Sequence, residues 1–277
     1  MAKVNSIFPL FPHINQAFKT SVENKRNPAI FAAMAKTMDI SAKNVNPEFN
    51  PAITHPGYLV RSRLLKAIMK YSPFLKGRLL DFGCGSKPYQ SLFRVAEYIG
   101  VDYDSQGHSH ANEQIDFFYD GHTLPFDNEQ FDSIFTSEVF EHIFNLPEIL
   151  KELNRVLKPG GRILITCPFA ICEHEVPNDF ARYTSFAMKN MLEKNGFSVL
   201  HLDKTGNSVE TVWQLRITYW HQHMIPIVGK IPVVRSAARL LIYTGFNLLA
   251  LLWSKLLPER KDLYLNNVVL AEKSKPA

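Results

Sequence analysis

The sequence has few cysteines and no long uncharged apolar stretch. Its 277 residues include three cysteines, at positions 84, 167 and 172, without a CxxC spacing, which disfavours a disulfide framework and favours a reducing compartment. The first ten residues lack the apolar centre of a secretory signal. In the apolar segment 225–257 the longest uncharged run, 240–254, has 15 residues, whereas a bilayer span needs about 20. We therefore predict a cytoplasmic protein.

Acidic residues are missing from one segment. Residues 211–258 include five basic residues and no acidic one, while the rest of the chain holds 26 of each sign. The net charge of +5 therefore belongs to one apolar segment, which disfavours a nucleic-acid-binding surface over the whole protein. Hydrophobic residues at 46% and charged residues at 21% are ordinary for a globular chain, so disorder is excluded as a whole-chain description.

Short apolar runs alternate with helical patterns, which is typical of a mostly parallel sheet with helices on both faces. We divide the chain into an N-terminal arm or helical cap at 1–57, an α/β core at 58–210 and 263–277, and a helical insertion at 211–262 before the last strand. The predicted helices are 58–71, 147–157 and 185–195, and the seven predicted strands are 78–82, 97–102, 115–119, 131–137, 162–167, 198–203 and 263–271.

The clearest candidate site follows the first strand. Asp81 ends this strand, and Gly83, Cys84 and Gly85 come directly after it. Glycines allow a tight turn and a close approach of the backbone to a ligand, and the helix expected next would present free N–H groups. Pro88 departs from the dinucleotide-binding pattern GxGxxG, so a different ligand is indicated.

This motif resembles the first motif of class I S-adenosylmethionine-dependent methyltransferases. Lys87 stands where a third glycine is frequent, and we expect the loop to differ locally because a lysine at positive φ is strained. The resemblance implies a seven-stranded Rossmann-like fold and S-adenosyl-L-methionine as the cofactor. It extends from about residue 60 to 203, resumes at 263, and includes four further blocks in the family's order, at 98–102, 119–126, 131–143 and 153–164.

The same resemblance assigns the cofactor contacts. Asp102 would accept hydrogen bonds from both ribose hydroxyls, and Asp120 from the adenine amino group, while Asp81 fixes the first loop. Ser137 and Glu138 would border the methionine part of the cofactor or the substrate. Glu141 and His142, which follow them, could cap the next helix. The full set of predicted cofactor-binding residues is Asp81, Gly83, Cys84, Gly85, Asp102, Tyr103, Asp120, Gly121, His122, Ser137 and Glu138.

The segment 168–184, after the fifth strand, is rich in polar side chains. It resembles a subgroup of these methyltransferases with a His…Asp-Phe-x-Arg-Tyr-Thr block, often associated with polysaccharide or cell-envelope synthesis. We predict His174 as general base, because an ordinary histidine pKa of about 6.5 suits proton removal near neutrality. Asp179 and Tyr183 are the other predicted catalytic residues. Alternatively, these two and Arg182 pin the loop to the domain.

The predicted reaction is O-methylation of a glycan or a lipid-linked sugar. The alternatives are a lipid or quinone acceptor, or a non-catalytic membrane scaffold that kept the fold. No metal site is predicted, because a His-x-His pair gives two ligands and a site needs three or four. The weak candidates are His108 with His110, His221 with His223, and the set Cys167, Cys172 and His174.

The insertion 211–262 combines basic residues with interfacial aromatics such as Trp213, Trp220 and Trp253. Such helices are typical of contact with an anionic membrane. We therefore expect peripheral attachment to the inner membrane face. Two alternatives stay open: the segment packs a core or homodimer interface, or it only forms a pocket for an apolar substrate.

Overall fold

A computed structural model describes residues 42–104, 114–228 and 232–274. All of them belong to one unit, Asp39–Ala277. The other unit, Met1–Met38, and with it most of the predicted N-terminal arm, lies outside the described residues. The division of the chain into domains stays a prediction.

Seven strands form one sheet in the order β3-β2-β1-β4-β5-β7-β6. Strand β7 is antiparallel to β5 and β6, whereas the pairs β2–β3, β1–β2, β1–β4 and β4–β5 are parallel. The predicted fold class is confirmed. The strands are β1 Arg78–Phe82, β2 Glu97–Tyr103, β3 Phe117–Tyr119, β4 Phe131–Ser137, β5 Leu157–Pro168, β6 Phe197–Lys204 and β7 Asn266–Lys273.

The helices of the described residues are α1 Tyr58–Tyr71, α2 Leu146–Val156, α3 Ser185–Lys194, α4 Ser208–Tyr219, α5 Ile225–Val228 and α6 Pro232–Leu256. Helix α2 shows why these segments pack on the sheet. Its apolar residues recur every three or four positions, so they share one face, and that face is buried: Leu146, Ile149, Leu150, Leu153 and Val156. Helices α4 to α6 form the helical insertion expected before the last strand.

The helix expected after β1 is not formed. Residues 83–96 contain only a single 3-10 turn, Gln90–Leu92. Pro88 has no N–H and disfavours the helical conformation of the residue before it, and Lys87 indeed has a φ of 52°. The expectation of helix N–H groups at this site was therefore wrong, and the loop itself has to form the binding surface.

Candidate active site

The predicted site residues lie at one edge of the sheet, where the carboxyl ends of the parallel strands meet. In open α/β sheets this edge borders the ligand crevice. Cofactor-side residues follow β1 to β4, and the predicted catalytic residues lie in the connection between β5 and α3, residues 169–184, which we call the acceptor loop.

The first loop needs glycine at position 83. Gly83 has a φ of 71°, and a Cβ atom there would lie 2.4 Å from Cγ2 of Val139. The N–H groups of Gly83 and Cys84 both donate to the carbonyl of Val101, at 2.9 and 3.2 Å. The loop thus folds tightly against the end of β2.

Lys87 adopts the positive φ that we expected the loop to avoid, so that expectation was wrong. Its Nζ lies 2.5 Å from Oδ2 of Asp116, and this oxygen also accepts the N–H of Gly100 at 2.6 Å. The Lys87 side chain is buried and crosses Gly100 so closely that a Cβ there would lie 2.4 Å from Lys87 Cε. These contacts hold Lys87 in a backbone conformation whose strain amounts to roughly 1–2 kcal/mol.

Asp102 is oriented by backbone donors. Its Oδ2 accepts the N–H of Gly85 at 2.7 Å, and its Oδ1 accepts that of Tyr103 at 2.8 Å. A carboxylate offers about four acceptor positions, so a group oriented in this way is suited to accept hydrogen bonds from ribose hydroxyls. The residues present therefore fit the ribose of S-adenosylmethionine.

Asp120 is held as an ionised acceptor. Its Oδ1 accepts the N–H groups of Thr123 and His122, at 2.8 and 2.9 Å, and these bonds hold the pKa of the exposed carboxyl below its usual value. Beside it, Gly121 has a φ of 86°, and a Cβ there would lie 3.0 Å from the ring of Tyr103. The exposed Tyr103 ring and the open backbone at Gly121 form a surface that suits a flat adenine ring.

Asp81 contacts β2. It is buried, and its Oδ2 accepts a hydrogen bond from the Tyr98 hydroxyl at 2.6 Å. Burial raises the pKa of Asp81 to about 7, against the opposing effect of that hydrogen bond. Asp81 therefore braces the two strands that present the cofactor loops.

Glu138 follows β4 in a strained conformation, with a φ of 58°. Its Oε1 accepts the hydroxyl of Thr166 at 2.9 Å, and its Oε2 accepts the side-chain N–H of Asn266 at 2.6 Å. Burial raises its pKa to about 7. The neighbouring Ser137 Oγ lies 2.8 Å from Thr166 Oγ1. Sequence reasoning missed Thr166 and Asn266, because they lie on β5 and β7 and no local motif marks them.

The acceptor loop is pinned by an ion pair. Both terminal nitrogens of Arg182 lie 2.6 Å from the oxygens of Asp179, and Asp179 Oδ2 also accepts the N–H of His174 at 3.0 Å. Arg182 holds the pKa of Asp179 well below its usual range. Asp179 is therefore a poor proton acceptor, and its contacts match the pinning alternative.

Tyr183 also has contacts that stabilise the loop. Its half-buried side chain packs against the main core, and its carbonyl accepts the side-chain N–H of Asn267 at 2.7 Å. Burial raises the pKa of its hydroxyl. These contacts do not test the predicted catalytic role, which stays a prediction.

Glu141 and His142 lie in the 3-10 turn Phe140–His142, so they do not cap α2. The backbone carbonyl of Glu141 accepts the N–H groups of Phe180 and Ala181, at 2.8 and 3.2 Å. The rings of His142 and His174 meet edge to face, with centroids 4.8 Å apart. The fold thus adds Glu141 and His142 to the predicted His174, and we refer to these three residues as the acidic-histidine cluster.

Of the other histidine candidates, His108 and His110 lie outside the described residues. His221 Nδ1 lies 2.7 Å from the Tyr243 hydroxyl, within the insertion.

Comparison with known families identifies the chain. A family model described as a methyltransferase domain matches residues 58–202, which is more than half of the chain. The fold is that of a class I methyltransferase, and the chain belongs to this methyltransferase-domain family. The resemblance drawn from the motifs is confirmed, and so is S-adenosylmethionine as the cofactor that the family uses.

Curated relatives match over the same part of the chain. The human mitochondrial ubiquinone biosynthesis O-methyltransferase is 32% identical over 124 residues, which are 39% of this chain and 34% of that protein. The demethylmenaquinone methyltransferase of Clavibacter sepedonicus is 40% identical over 109 residues, or 36% of this chain and 44% of that protein. The chain spans less than two thirds of both relatives, and 19% to 63% of four others.

Two solved structures are similar at lower identity. Phosphoethanolamine N-methyltransferase 2 of Haemonchus contortus, in complex with S-adenosyl-L-methionine, is 17% identical with a TM-score of 0.47, covering 77% of this chain and 53% of that one. An S-adenosylmethionine-dependent methyltransferase of Mesorhizobium loti is 13% identical with a TM-score of 0.45, covering 81% and 99%.

Proposed function

We propose that the chain transfers a methyl group to a hydroxyl oxygen of a lipid-linked sugar, a reaction of cell-envelope polysaccharide synthesis. When bound, S-adenosylmethionine supplies a methyl group activated by its positive sulfur. Asp102 and Asp120 hold the nucleoside part, so alignment of the acceptor is the main remaining task of the protein. The observation that supports the proposal is the acidic-histidine cluster, which lies beside Glu138 at the same edge of the sheet.

The acceptor side is polar at its base. The acidic-histidine cluster together with Arg182 offers hydrogen-bond donors and acceptors suited to a sugar, and it offers a route for the proton of the attacking hydroxyl. His174, with 31% of its side chain exposed, is accessible to a substrate, and its role as the base stays a prediction. If His174→Ala retained full turnover, that role would be lost.

The insertion suits a lipid-anchored acceptor. Helix α6 exposes Leu241, Leu248, Leu252 and Leu256, at 72%, 53%, 51% and 64%, and their spacing places them on one helix face. No acidic residue occurs between 211 and 258. Both features favour an anionic membrane as the partner, and we propose that the protein attaches to the inner membrane face there.

The opposite face of α6 is fixed to the domain. Tyr243, Asn247 and Ala250 are buried, and the Asn247 side chain donates to the carbonyls of Ile53 and His55, at 2.7 and 3.1 Å. Ser236–Leu256 is long and apolar enough to cross a membrane by length and composition, with a mean hydropathy of 1.3. The prediction that no segment is long enough to span a bilayer counted only the 15 uncharged residues between Arg239 and Lys255. That criterion was too strict. The contacts of this face with the domain, including the hydrogen bonds of Asn247, support attachment rather than spanning.

Vesicle flotation tests this attachment. The full chain should float with vesicles that contain anionic phosphatidylglycerol and stay in solution with neutral phosphatidylcholine vesicles. Leu241→Glu should reduce flotation, whereas Gln90→Glu, which adds the same charge at an exposed site outside the insertion, should not. Equal flotation of both variants would contradict the proposal, and a shift to monomers in Leu241→Glu would indicate a homodimer interface instead.

A lipid or quinone acceptor is the second candidate. Phe144 and Phe180 are 83% and 47% exposed beside the acidic-histidine cluster, with ring centroids 5.5 Å apart, and they suit an apolar ring or chain. Two relatives are named for ubiquinone and demethylmenaquinone. Radiolabelled methyl transfer to polyprenyl-linked sugars and to hydroxylated quinones, compared side by side, separates the two candidates.

A non-catalytic scaffold is a third reading. Calorimetric titration with S-adenosylmethionine and its demethylated product tests it, because a scaffold needs neither. Micromolar binding of both would support the enzyme. Absence of binding in folded protein, with and without acceptor lipids, would favour the scaffold.

A further inference from the structure

Three groups that can ligate a metal converge beneath the acceptor loop. Oε1 of Glu141 lies 3.6 Å from Nε2 of His142 and 3.9 Å from Nε2 of His174. One ligand atom from each residue lies within 4.8 Å of the other two. Two of the ligands are neighbours in the 3-10 turn after β4, and the third comes from the acceptor loop, so only the fold brings them together.

Glu141 has an unpaired oxygen in a buried place. The residue is 0% exposed, and its Oε1 has no hydrogen-bond partner among the described residues. Its other oxygen, Oε2, has a long contact with the Cys167 thiol, at 3.8 Å. A buried carboxylate without a partner is costly, and each such group in a native protein calls for an explanation such as an ion. The unpaired oxygen faces the two imidazoles.

Both imidazoles are held with Nε2 free to act as a ligand. His142 Nδ1 lies 2.6 Å from the carbonyl of Asn178. His174 Nδ1 lies 3.2 Å from the carbonyl of Cys172 and 3.3 Å from Asp179 Oδ2. A hydrogen-bond acceptor beside Nδ1 favours the tautomer with the proton on Nδ1 and the lone pair on Nε2. In metal sites, the ring nitrogen that does not bind the metal usually donates such a hydrogen bond.

Arg182 is the positive group beside this cluster. Its Nη2 lies 3.4 Å from Nδ1 of His174, but its charge is matched by Asp179 at 2.6 Å. The two acceptors at Nδ1 lie closer than this donor. Arg182 therefore leaves the Nε2 side of His174 open to a cation.

We propose that Glu141, His142 and His174 bind a divalent transition-metal ion, with Zn²⁺ strongly preferred to Mg²⁺. Two imidazoles and one carboxylate suit Zn²⁺, whereas Mg²⁺ takes oxygen ligands and keeps its waters. A tetrahedral site with bonds of roughly 2.0 Å separates its ligands by about 3.3 Å, so small side-chain rotations close the observed distances. Glu175 Oε2 lies 3.7 Å from His142 Nε2, beside the site, and the fourth position stays open to a further ligand.

The use of this metal rests on the proposed function. An acceptor hydroxyl in the open position would be coordinated, and its pKa would fall, as metal ions do for bound water. In that arrangement His174 is a ligand, and the proton of the hydroxyl leaves to solvent at the open side of the loop.

Metal binding is tested first without either substrate. Tag-free protein, stripped with a chelator, is titrated calorimetrically with Zn²⁺ and separately with Mg²⁺. We expect one Zn²⁺ per chain and no Mg²⁺ binding. Changes in groups around the ligands typically weaken metal binding by about 10–100-fold. Glu141→Gln and His174→Ala should each weaken Zn²⁺ binding by more than this. His223→Ala, which changes an exposed histidine in the insertion, should leave Zn²⁺ binding unchanged.

Thermal unfolding gives a second readout. Zn²⁺ should raise the unfolding temperature of the wild-type chain and of His223→Ala, because a ligand that binds only the folded state stabilises it, and should leave that of His174→Ala unchanged. Stoichiometric Zn²⁺ binding that survives in both cluster variants, or no binding in wild type, would overturn the proposal.

Titration of the same metal-free protein with S-adenosylmethionine separates the two proposals. Cofactor binding without Zn²⁺ binding rejects the metal site and leaves methyl transfer standing. Zn²⁺ binding without cofactor binding rejects the proposed function and keeps the metal site. Since His174 is partly exposed, His174→Ala keeps the test informative even where Glu141→Gln fails to fold.

Discussion

Asp120 in the cofactor half of the carboxyl edge and Glu141 in the acceptor half are held in opposite ways. Asp120 is exposed, and backbone N–H groups keep its pKa low. Burial raises the pKa of Glu141 well above its usual value and that of nearby Glu138, after β4, to about 7. Asp120 is thus a permanent acceptor for an amino donor, as Asp179 beside Arg182 stays ionised in the acceptor loop. Glu138 and Glu141 instead respond to a nearby proton or cation, and groups shifted in this way cluster at functional sites.

The largest expected effect concerns the cofactor half. Asp102→Ala removes two expected charge-assisted hydrogen bonds to the ribose, each of about 1.5–3 kcal/mol, so S-adenosylmethionine affinity should fall by about 100-fold or more. Calorimetric titration measures this. The matched control is Asp104→Ala, an exposed acid two residues away, which should bind normally. Equal affinity in both variants would remove Asp102 from the site.

Asp81 tests whether a buried acid on the cofactor side behaves like those on the acceptor side. Its folded pKa, about 7, exceeds its ordinary value of about 3.9, so the folded state binds the proton more tightly than the unfolded one. The stability contributed by this group is therefore present below about pH 4 and is lost as pH rises to about 7. Tyr98, Asp102, Lys87 and Asp116 are the charged and titratable groups that act on it.

Asp81→Asn should remove this pH dependence. Its free energy of unfolding, relative to wild type, should rise by up to about 4 kcal/mol between pH 4 and pH 8, since one pKa unit corresponds to about 1.36 kcal/mol. Denaturant unfolding at a series of pH values measures it. A constant difference between the two proteins across this range would show that burial does not raise this pKa.

Arg182 tests the independence of the two halves. Arg182→Lys replaces the two-pronged contact with Asp179 by a single point contact, at a local cost of about 1–3 kcal/mol. Limited proteolysis should then cut the acceptor loop faster, and turnover should fall. S-adenosylmethionine affinity should stay unchanged. A loss of cofactor affinity as large as that of turnover would mean that the two halves are coupled.

The smallest effect is expected in α6. Nothing lies within 4 Å of a Cβ atom added at Gly245, and alanine is favoured over glycine inside a helix by about 0.5–1 kcal/mol. Gly245→Ala should therefore raise the unfolding temperature slightly. Gly83→Ala, with its φ of 71° and its close contact with Val139, should lower it. If both variants raised the unfolding temperature, or both lowered it, the packing described for one of the two glycines would be wrong.

Local signals in the sequence were sufficient to predict the strands that carry the proposed cofactor acids. Asp102 lies near the end of β2 and Asp120 directly follows β3. The apolar patterns of both strands are readable, and parallel strands bring their carboxyl ends together. The loop after β1 was the exception, because Pro88 and the Lys87–Asp116 ion pair override the usual glycine and helix pattern. That pair joins positions 29 residues apart, and no local pattern announces it.

The sequence by itself determined the family and the order of the strands along the chain, because both depend on short-range patterns of burial and turning, and it predicts the cofactor acids from the ends of those strands. Only the tertiary structure decided which side chains meet on the acceptor side. Glu141, His142 and His174 come from two separate connections, and Glu138 is held by Thr166 and Asn266 from two further strands. Their burial and mutual approach depend on the packed sheet edge, so their shifted proton affinities and their capacity to bind a cation arise only when the chain is folded.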